Sequence, residues 1–184
     1  MTDSAPCLAG KLLVAPAAMT DPNFAEAVTL VLIHNNEGAF GLVLDRAVEA
    51  EVSSETSWAS LVDTRVWSGG PCEPERFIPI GRPKPGRLPL HYQPLCDRLG
   101  GLGVVDLDSA DHDDFEAVRF FLGYAGWAPG QLDWEVNLDA WVVADAHPDD
   151  PFAVDVAGLR GRVLRRVLAD GHGSMVFPDD PTSN

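Results

Sequence analysis

The fold is decided by residues 27–44, which read Ala27-Val28-Thr29-Leu30-Val31-Leu32-Ile33, then His34-Asn35-Asn36-Glu37-Gly38, then Ala39-Phe40-Gly41-Leu42-Val43-Leu44. The first run is rich in β-branched residues and is apolar on both faces apart from Thr29, which predicts a central strand. The polar stretch from His34 to Gly38 is typical of a turn, and strand character resumes at Phe40. We therefore predict a β-hairpin, with the rest of a sheet built outward from it.

Further strands are predicted on both sides of this hairpin. Short apolar runs at 11–15, 104–107 and 140–144 have strand character. Residues 71–94 contain many prolines and glycines around short apolar pairs, which favours short edge strands and loops over helix.

Three stretches predict helices. The clearest covers 113–125, where Asp113 and Glu116 have the spacing of a capping box and apolar residues repeat on one face. A shorter helix is predicted at 130–136, a third at 158–170, and a short surface helix at 49–64. The fold class is therefore α+β, in a single domain spanning 1–184 with flexible ends at 1–9 and 179–184.

The charge balance limits the classes of partner. Among 184 residues, 28 Asp and Glu oppose 13 Lys and Arg, so the formal net charge is −15. Nonspecific nucleic-acid affinity comes mostly from Lys and Arg on phosphates, so direct DNA or RNA binding is disfavoured, as is an anionic membrane surface. No apolar run approaches the roughly 18–20 residues that span a bilayer.

The cysteines indicate a reducing compartment. Cys7, Cys72 and Cys96 are odd in number, far apart and without a CxxC pair, which is typical of free thiols. The first residues carry an acid and no apolar stretch, unlike a signal peptide. We expect a cytoplasmic protein.

Three segments together resemble the bacterial AlgH/YqgE family, also called UPF0301 or DUF179, and the last residues look like actinobacterial members. The first comprises 10–16 (GKLLVAP), 21–24 (DPNF) and 34–44 (HNNEGAFGLVL), the second is 68–71 (SGGP), and the third is 121–132 (FLGYAGWAPGQL), continuing to Trp141. The resemblance implies an α+β fold with a mixed, partly barrel-like β-sheet flanked by helices. It also implies no established enzymatic activity, and a description as transcriptional regulators.

The chain departs from the family pattern at two places. The family's usual Asn-Lys-Pro after the hairpin is Asp45-Arg46-Ala47 here, and Cys72 replaces an apolar residue after Gly-Gly-Pro. A role that requires a lysine at position 46 is therefore not carried over.

The three segments supply the candidate binding residues, and no catalytic constellation, cofactor site or metal site is identified. They are His34, Asn35, Glu37, Gly38, Gly41, Ser68, Gly69, Gly70, Tyr124, Trp127 and Gln131. Each has a structural alternative: a hairpin that caps its own backbone, a tight Gly-Gly turn, and aromatic rings that pack in the core. Core packing is the favoured interpretation of the aromatic rings of the third segment, and the alternative is a partner-binding or ligand-binding surface built around Tyr124, Trp127 and Trp134.

Two further charged groups have structural explanations. The acids between Asp106 and Asp114, with His112, do not fit an EF-hand, and they suit a strand end followed by a helix N-terminus. The arginines between Arg160 and Arg166 indicate a solvated face paired with nearby acids.

Three functional hypotheses follow. The first is a non-enzymatic binding or regulatory protein that contacts a protein partner or small polar ligand through the surface of the His34 loop and the Tyr124–Gln131 turn. The second is a hydrolase or redox protein that uses Cys72 or Ser68 with His34, which requires those side chains to approach each other. The third is direct DNA binding through a helix-turn-helix around 123–130, which Asp133 and Glu135 disfavour. The sequence does not determine the oligomeric state.

Overall fold

The structure is a computed structural model that describes residues 7–51, 58 and 65–169. Within these residues the chain forms one large sheet and two helices, an α+β fold as predicted. The strands are β1 (Lys11–Val14), β2 (Val28–Asn35), β3 (Gly38–Val43), β4 (Ala47–Glu51), β5 (Arg65–Ser68), β6 (Cys72–Pro83), β7 (Tyr92–Cys96), β8 (Leu102–Val105), β9 (Phe115–Trp127) and β10 (Val142–Asp145). The helices are α1 (Gln131–Asn137) and α2 (Leu159–Ala169).

The predicted hairpin is confirmed and lies near the middle of the sheet. Strand order is β10-β1-β2-β3-β9-β6-β8-β7, with β5 paired to β9 and β4 to β5. Every pairing is antiparallel except that of β5 with β9, so the sheet is mixed. The pairing of Asn35 with Gly38 leaves Asn36 and Glu37 as the tight turn.

The sheet curls around one main core. That core joins residues of β1, β2 and β3 to Cys96 of β7, Leu99 and Leu102, and α2 closes it with Leu159 and Val163. Residue 10, just before β1, approaches β7 closely, since a Cβ built on Gly10 would lie 3.0 Å from Cys96 Sγ. The curvature is partly barrel-like, but β10 and β7 end the strand order and are not paired with each other in the described part of the chain.

The helix predicted at 113–125 is wrong, because most of this stretch is strand β9. Its pairings run from Phe115 to Trp127, against β6 on one side and against β5 and then β3 on the other. Since β9 is central and buried on both faces, consecutive residues such as Phe120 and Phe121 are both apolar, and a helical repeat can be traced through them by coincidence.

The expectation of only short edge strands at 71–94 is also wrong in part. Strand β6 covers twelve residues and lies between β9 and β8. Prolines are tolerated in it because β8 pairs only with Ile80 and Gly81. Among the described residues, no strand pairs with the rest of that side of β6 and needs its N–H groups.

The remaining elements agree with the sequence. The helices at 130–136 and 158–170 are α1 and α2, and the strands at 104–107 and 140–144 are β8 and β10 with boundaries shifted by about two residues. The helix predicted at 49–64 is wrong at its start, because 49–51 belong to strand β4, and the rest of it apart from Trp58 lies outside the described residues, as do most of the predicted flexible ends. No helix in the described ranges is long and apolar enough to cross a membrane.

Candidate functional site

The turn of the β2–β3 hairpin is held by its own side chains. The Asn35 side-chain oxygen accepts a hydrogen bond from the backbone N–H of Glu37 at 2.8 Å, a local turn that asparagine commonly makes. The Asn35 side chain therefore caps its own backbone, while the Glu37 side chain is exposed to solvent.

His34 connects three parts of the chain. Its Nδ1 accepts a hydrogen bond from the backbone N–H of Leu8 at 3.1 Å, and its Nε2 lies 3.5 Å from Asp133 Oδ1 on α1. The imidazole side chain is only 8% exposed. A register shift between Val31 and Ile33 comes just before it, and bulges of this kind redirect side chains. His34 thus ties the N-terminal segment and α1 to β2.

The hairpin and the turn after β9 meet through backbone contact. Ala39 pairs with Trp127, and a Cβ built on Gly38 would lie 2.3 Å from the Trp127 carbonyl oxygen. Gly41 has a similar constraint against the carbonyl of Leu30, at 2.5 Å. These glycines permit close approach of the backbones and leave no room there for a ligand.

Helix α1 is attached by a carboxylate that accepts three hydrogen bonds. Glu135 Oε2 accepts from the indole N–H groups of Trp127 at 2.9 Å and Trp141 at 2.8 Å, and Oε1 accepts from Gln131 Nε2 at 2.8 Å. Gln131 in turn accepts from the backbone N–H of Ala128. Trp127 is only 7% exposed, so its ring packs in the protein interior.

The Ser68-Gly69-Gly70 turn packs against strand β9. Gly69 donates to the Leu122 carbonyl and accepts from the Val43 N–H, and Ser68 donates its N–H to the Arg46 carbonyl. A Cβ on Gly70 would lie 2.4 Å from the Tyr124 carbonyl oxygen. The three motif segments therefore converge along β9, and the contacts between them are mainly backbone packing.

Tyr124 lies at the solvent edge of this convergence. Its hydroxyl donates to Glu73 Oε1 at 2.9 Å, its ring centroid is 5.0 Å from that of Phe40, and the Arg76 guanidinium lies over the ring at 5.8 Å. The hydrogen bond to Glu73 raises the pKa of the phenol, because ionisation would lose the donated proton and place two negative charges together.

The side chains of the hydrolase hypothesis are far apart. Cys72 pairs with Tyr124 on the β6 side of β9, whereas His34 is on β2, and β3 and β9 lie between them. At ~4.8 Å per strand this is about 14 Å. Ser68 pairs with Leu122 of β9, whereas the hairpin that carries His34 pairs with β9 at Trp127, five residues further along the strand. Neither nucleophile can reach His34 within hydrogen-bond distance.

The helix-turn-helix interpretation of 123–130 is also wrong, since the element before the turn is β9. Asp133 and Glu135 of α1 are engaged with His34 and with the two indoles.

The remaining charged groups have local partners. Asp106 and Asp111 each accept a backbone N–H two residues ahead, and His112–Asp114 form a 3-10 helix. Arg162 pairs with Asp155, and Arg166 forms a bidentate pair with Asp150. Within the described ranges no group of three or more His, Cys, Asp and Glu side chains is placed to hold a metal ion.

Helix α1 presents apolar side chains to solvent at its C-terminal end. Trp134 is 63% exposed and Leu138, four residues later, is 59% exposed. Residues four apart lie on one face of a helix, so the two form one patch. Trp134 was anticipated from the sequence. Leu138 and the anchoring role of Glu135 were missed, although a Trp-Glu-Trp spacing at 127, 135 and 141 is a readable signal.

Comparisons with known proteins give a consistent result. The sequence profile of the family described as AlgH-like (DUF179) matches residues 12–171. A UPF0301 protein of Streptomyces coelicolor is 36% identical, covering 96% of this chain and 95% of the relative. A UPF0301 protein of Thermobifida fusca is 37% identical, covering 96% of each.

Two solved structures have the same fold. A crystal structure of a Corynebacterium diphtheriae protein superposes with a TM-score of 0.76 at 28% identity, covering 90% of both chains. The solution structure of the AlgH protein from Pseudomonas aeruginosa gives 0.66 at 27% identity, covering 91% of this chain and 93% of that one.

Proposed function

The chain belongs to the AlgH-like family, and from that premise we propose that it is a non-enzymatic binding protein which contacts a protein partner through the exposed face of α1. The observation that carries the proposal is the Trp134–Leu138 patch on a helix fixed by Glu135 and Asp133. Exposed aromatic residues on a rigid support are typical anchors of interfaces, because little side-chain freedom is lost on binding.

The charge around the patch indicates the chemistry of the partner. No Lys or Arg occurs between Arg119 and Arg160, while that stretch holds Asp133, Glu135 and Asp139 on or beside α1. Glu37 of the hairpin adds an exposed carboxylate nearby. An apolar patch with an acidic surround suits a partner segment that combines apolar and basic residues.

Under this proposal, the candidate residues hold the helix in place, and two exposed side chains of the helix contact the partner. His34, Gly38, Trp127 and Gln131 would hold α1 in place, and Trp134 and Leu138 would make the contact. A regulatory role in transcription, as the family resemblance implies, would then act through a protein and not through DNA. The free cysteines Cys7, Cys72 and Cys96 support a cytoplasmic location.

The test compares three immobilised proteins in a lysate of the source bacterium. We expect at least one protein to bind the wild type and a Leu88→Ala variant, and to be lost from a Trp134→Ala/Leu138→Ala variant. Leu88 is almost fully exposed on another part of the surface, so it controls for nonspecific apolar capture. The wild type and the two variants should melt at nearly the same temperature.

A defined probe tests the chemical class. Fluorescence anisotropy should show that a labelled amphipathic Leu/Lys peptide binds the wild type at least about tenfold more tightly than a Leu/Glu peptide of the same pattern. Equal binding by wild type and Trp134→Ala/Leu138→Ala, or the same captured proteins on all three columns, would contradict the proposal.

A further inference from the structure

A separate cavity of about 440 Å³ lies where the start of α2 faces the turn before β2 and the end of β3. Its charged lining consists of Glu26, Asp45, Arg46 and Arg160, and small residues such as Ala27 and Ala157 form much of the rest. Its size is in the range of pockets that bind small molecules.

The two arginines are fixed in position by backbone carbonyls. Arg46 donates to the carbonyl oxygens of Pro22 and Ala25, both at 2.9 Å. Arg160 donates from one terminal nitrogen to the carbonyl of Ala15 at 2.9 Å, and its buried Nε finds no hydrogen-bond partner in the part of the chain that the structure describes. Because a guanidinium has five N–H donors, both arginines keep donors for a further acceptor.

Asp45 is the acidic counterpart. Its Oδ2 accepts the backbone N–H of Val28 at 3.2 Å, while its buried Oδ1 has no hydrogen-bond partner among the described residues. Among the described residues no ion pair of 4.0 Å or less joins Asp45 to Arg46 or Arg160. Burial raises the pKa of the Asp45 carboxyl, and this outweighs the backbone N–H groups of Val28 and Asp45 and the two arginines, which act in the opposite direction.

Groups of both signs therefore surround one cavity, and in the described part of the chain they form no ion pair with each other within 4.0 Å. Two guanidinium groups and two carboxylates carry no net charge together, so a dianion such as phosphate would meet Asp45 and Glu26 as well as the arginines. A ligand with one carboxylate and one cationic donor would meet a partner at each end.

We propose that this cavity binds a small zwitterion, with a free α-amino acid as the simplest member of the class. The ligand carboxylate would accept from Arg160 and Arg46, and its ammonium group would donate to Asp45. The small residues of the lining leave space for a side chain. This site is independent of the α1 patch, and neither requires the other.

The experiment titrates the full-length protein by isothermal calorimetry with each of the twenty common L-amino acids, and with acetate, methylamine and inorganic phosphate. We expect at least one amino acid to bind with a stoichiometry of one, at least about tenfold more tightly than any of the three simple ions. No binding of any amino acid at about 10 mM, or tighter binding of phosphate, would overturn the proposal.

Matched variants locate the site. Asp45→Asn and Arg160→Gln should each weaken binding at least about tenfold, and Arg165→Gln, an exposed arginine of the same helix, should leave it unchanged. Asp45→Asn keeps an acceptor for the Val28 N–H and removes a buried charge, so this variant should fold normally. If Arg160→Gln does not fold, the affinity of Asp45→Asn alone tests the location of the site. Unchanged binding by Asp45→Asn would show that the amino acid binds elsewhere.

Discussion

The carboxylate of Glu135 accepts hydrogen bonds from Trp127, Trp141 and Gln131, and so joins α1 to the end of β9 and to the start of β10. A glutamine at position 135 would replace one carboxylate oxygen with an NH₂ group, which donates and would therefore face an N–H donor of a tryptophan or of Gln131. We expect Glu135→Gln to lower the free energy of unfolding by about 1–3 kcal/mol, because at least one half-buried N–H loses its acceptor. Urea denaturation followed by tryptophan fluorescence measures this.

The control for this prediction is Asp139→Asn, two residues after α1. Asp139 is exposed and has a φ of +55°, which asparagine tolerates. Its unfolding free energy should match that of the wild type. If Glu135→Gln were equally neutral, the carboxylate would not be the anchor of the helix.

Tyr124 allows a prediction about titration. The protein has two tyrosines, and burial raises the pKa of Tyr92 further than the Glu73 hydrogen bond raises that of Tyr124. The first phenolate to appear on raising the pH should therefore be that of Tyr124, with a midpoint above the usual value of about 10. Absorbance of the phenolate band against pH records it.

The variant that checks the cause is Glu73→Gln. Because the amide is neutral, the phenolate no longer meets a negative charge, and the midpoint should move down towards the usual value. Tyr92→Phe should leave the first midpoint unchanged. A midpoint insensitive to Glu73→Gln would show that this hydrogen bond does not form in solution.

At the scale of elements, the fold depends on how closely backbones approach β9. Gly38 has a φ of +129°, and a Cβ there would lie 2.3 Å from the Trp127 carbonyl oxygen, so an alanine would be both strained and in collision. We expect Gly38→Ala to cost about 3 kcal/mol or more. Thermal and urea unfolding measure the loss.

Gly130 provides the matched control. It also has a positive φ, +73°, but a Cβ there meets nothing within 4 Å. Gly130→Ala should cost only about 1 kcal/mol, the strain of the backbone alone. Equal costs at the two positions would mean that the contact between the hairpin and β9 is looser than the structure indicates.

The same elements explain what could be read from the sequence. The hairpin was predictable because its two runs are each consistent with strand and the turn is polar. Strand β9 was not, since a strand buried on both faces has no alternation over Val118–Phe121, and only Phe121–Trp127 shows the period of two. The register of β9 could not be predicted either, because it depends on close backbone contacts with Gly38 and Gly70, which are distant from β9 in sequence.

The sequence singled out the three motif segments, but it did not show how their residues are arranged or what each one contacts. The motif segments meet along β9, which the sequence alone did not show, and His34 and Trp127 are largely buried and connect elements. Glu135 was missed because its three donors are four to eight residues away, at the end of β9, in α1 and just before β10, and only the folded turn shows that they point to one carboxylate.

At the scale of the whole molecule, a net charge of −15 opposes any polyanion. Two arginines of α2 do not offset it, because Arg162 and Arg166 pair with Asp155 and Asp150. We expect no saturable binding of a labelled 30-base-pair duplex by up to about 10 μM purified protein at 150 mM salt, measured by fluorescence anisotropy. Binding that weakens steeply with salt would instead reveal a basic surface, because each phosphate contact adds about 0.9 to the logarithmic salt slope. Neutralising Arg165, the exposed arginine of α2, tests whether that surface is on this helix, since only a contact made by Arg165 would lower the slope.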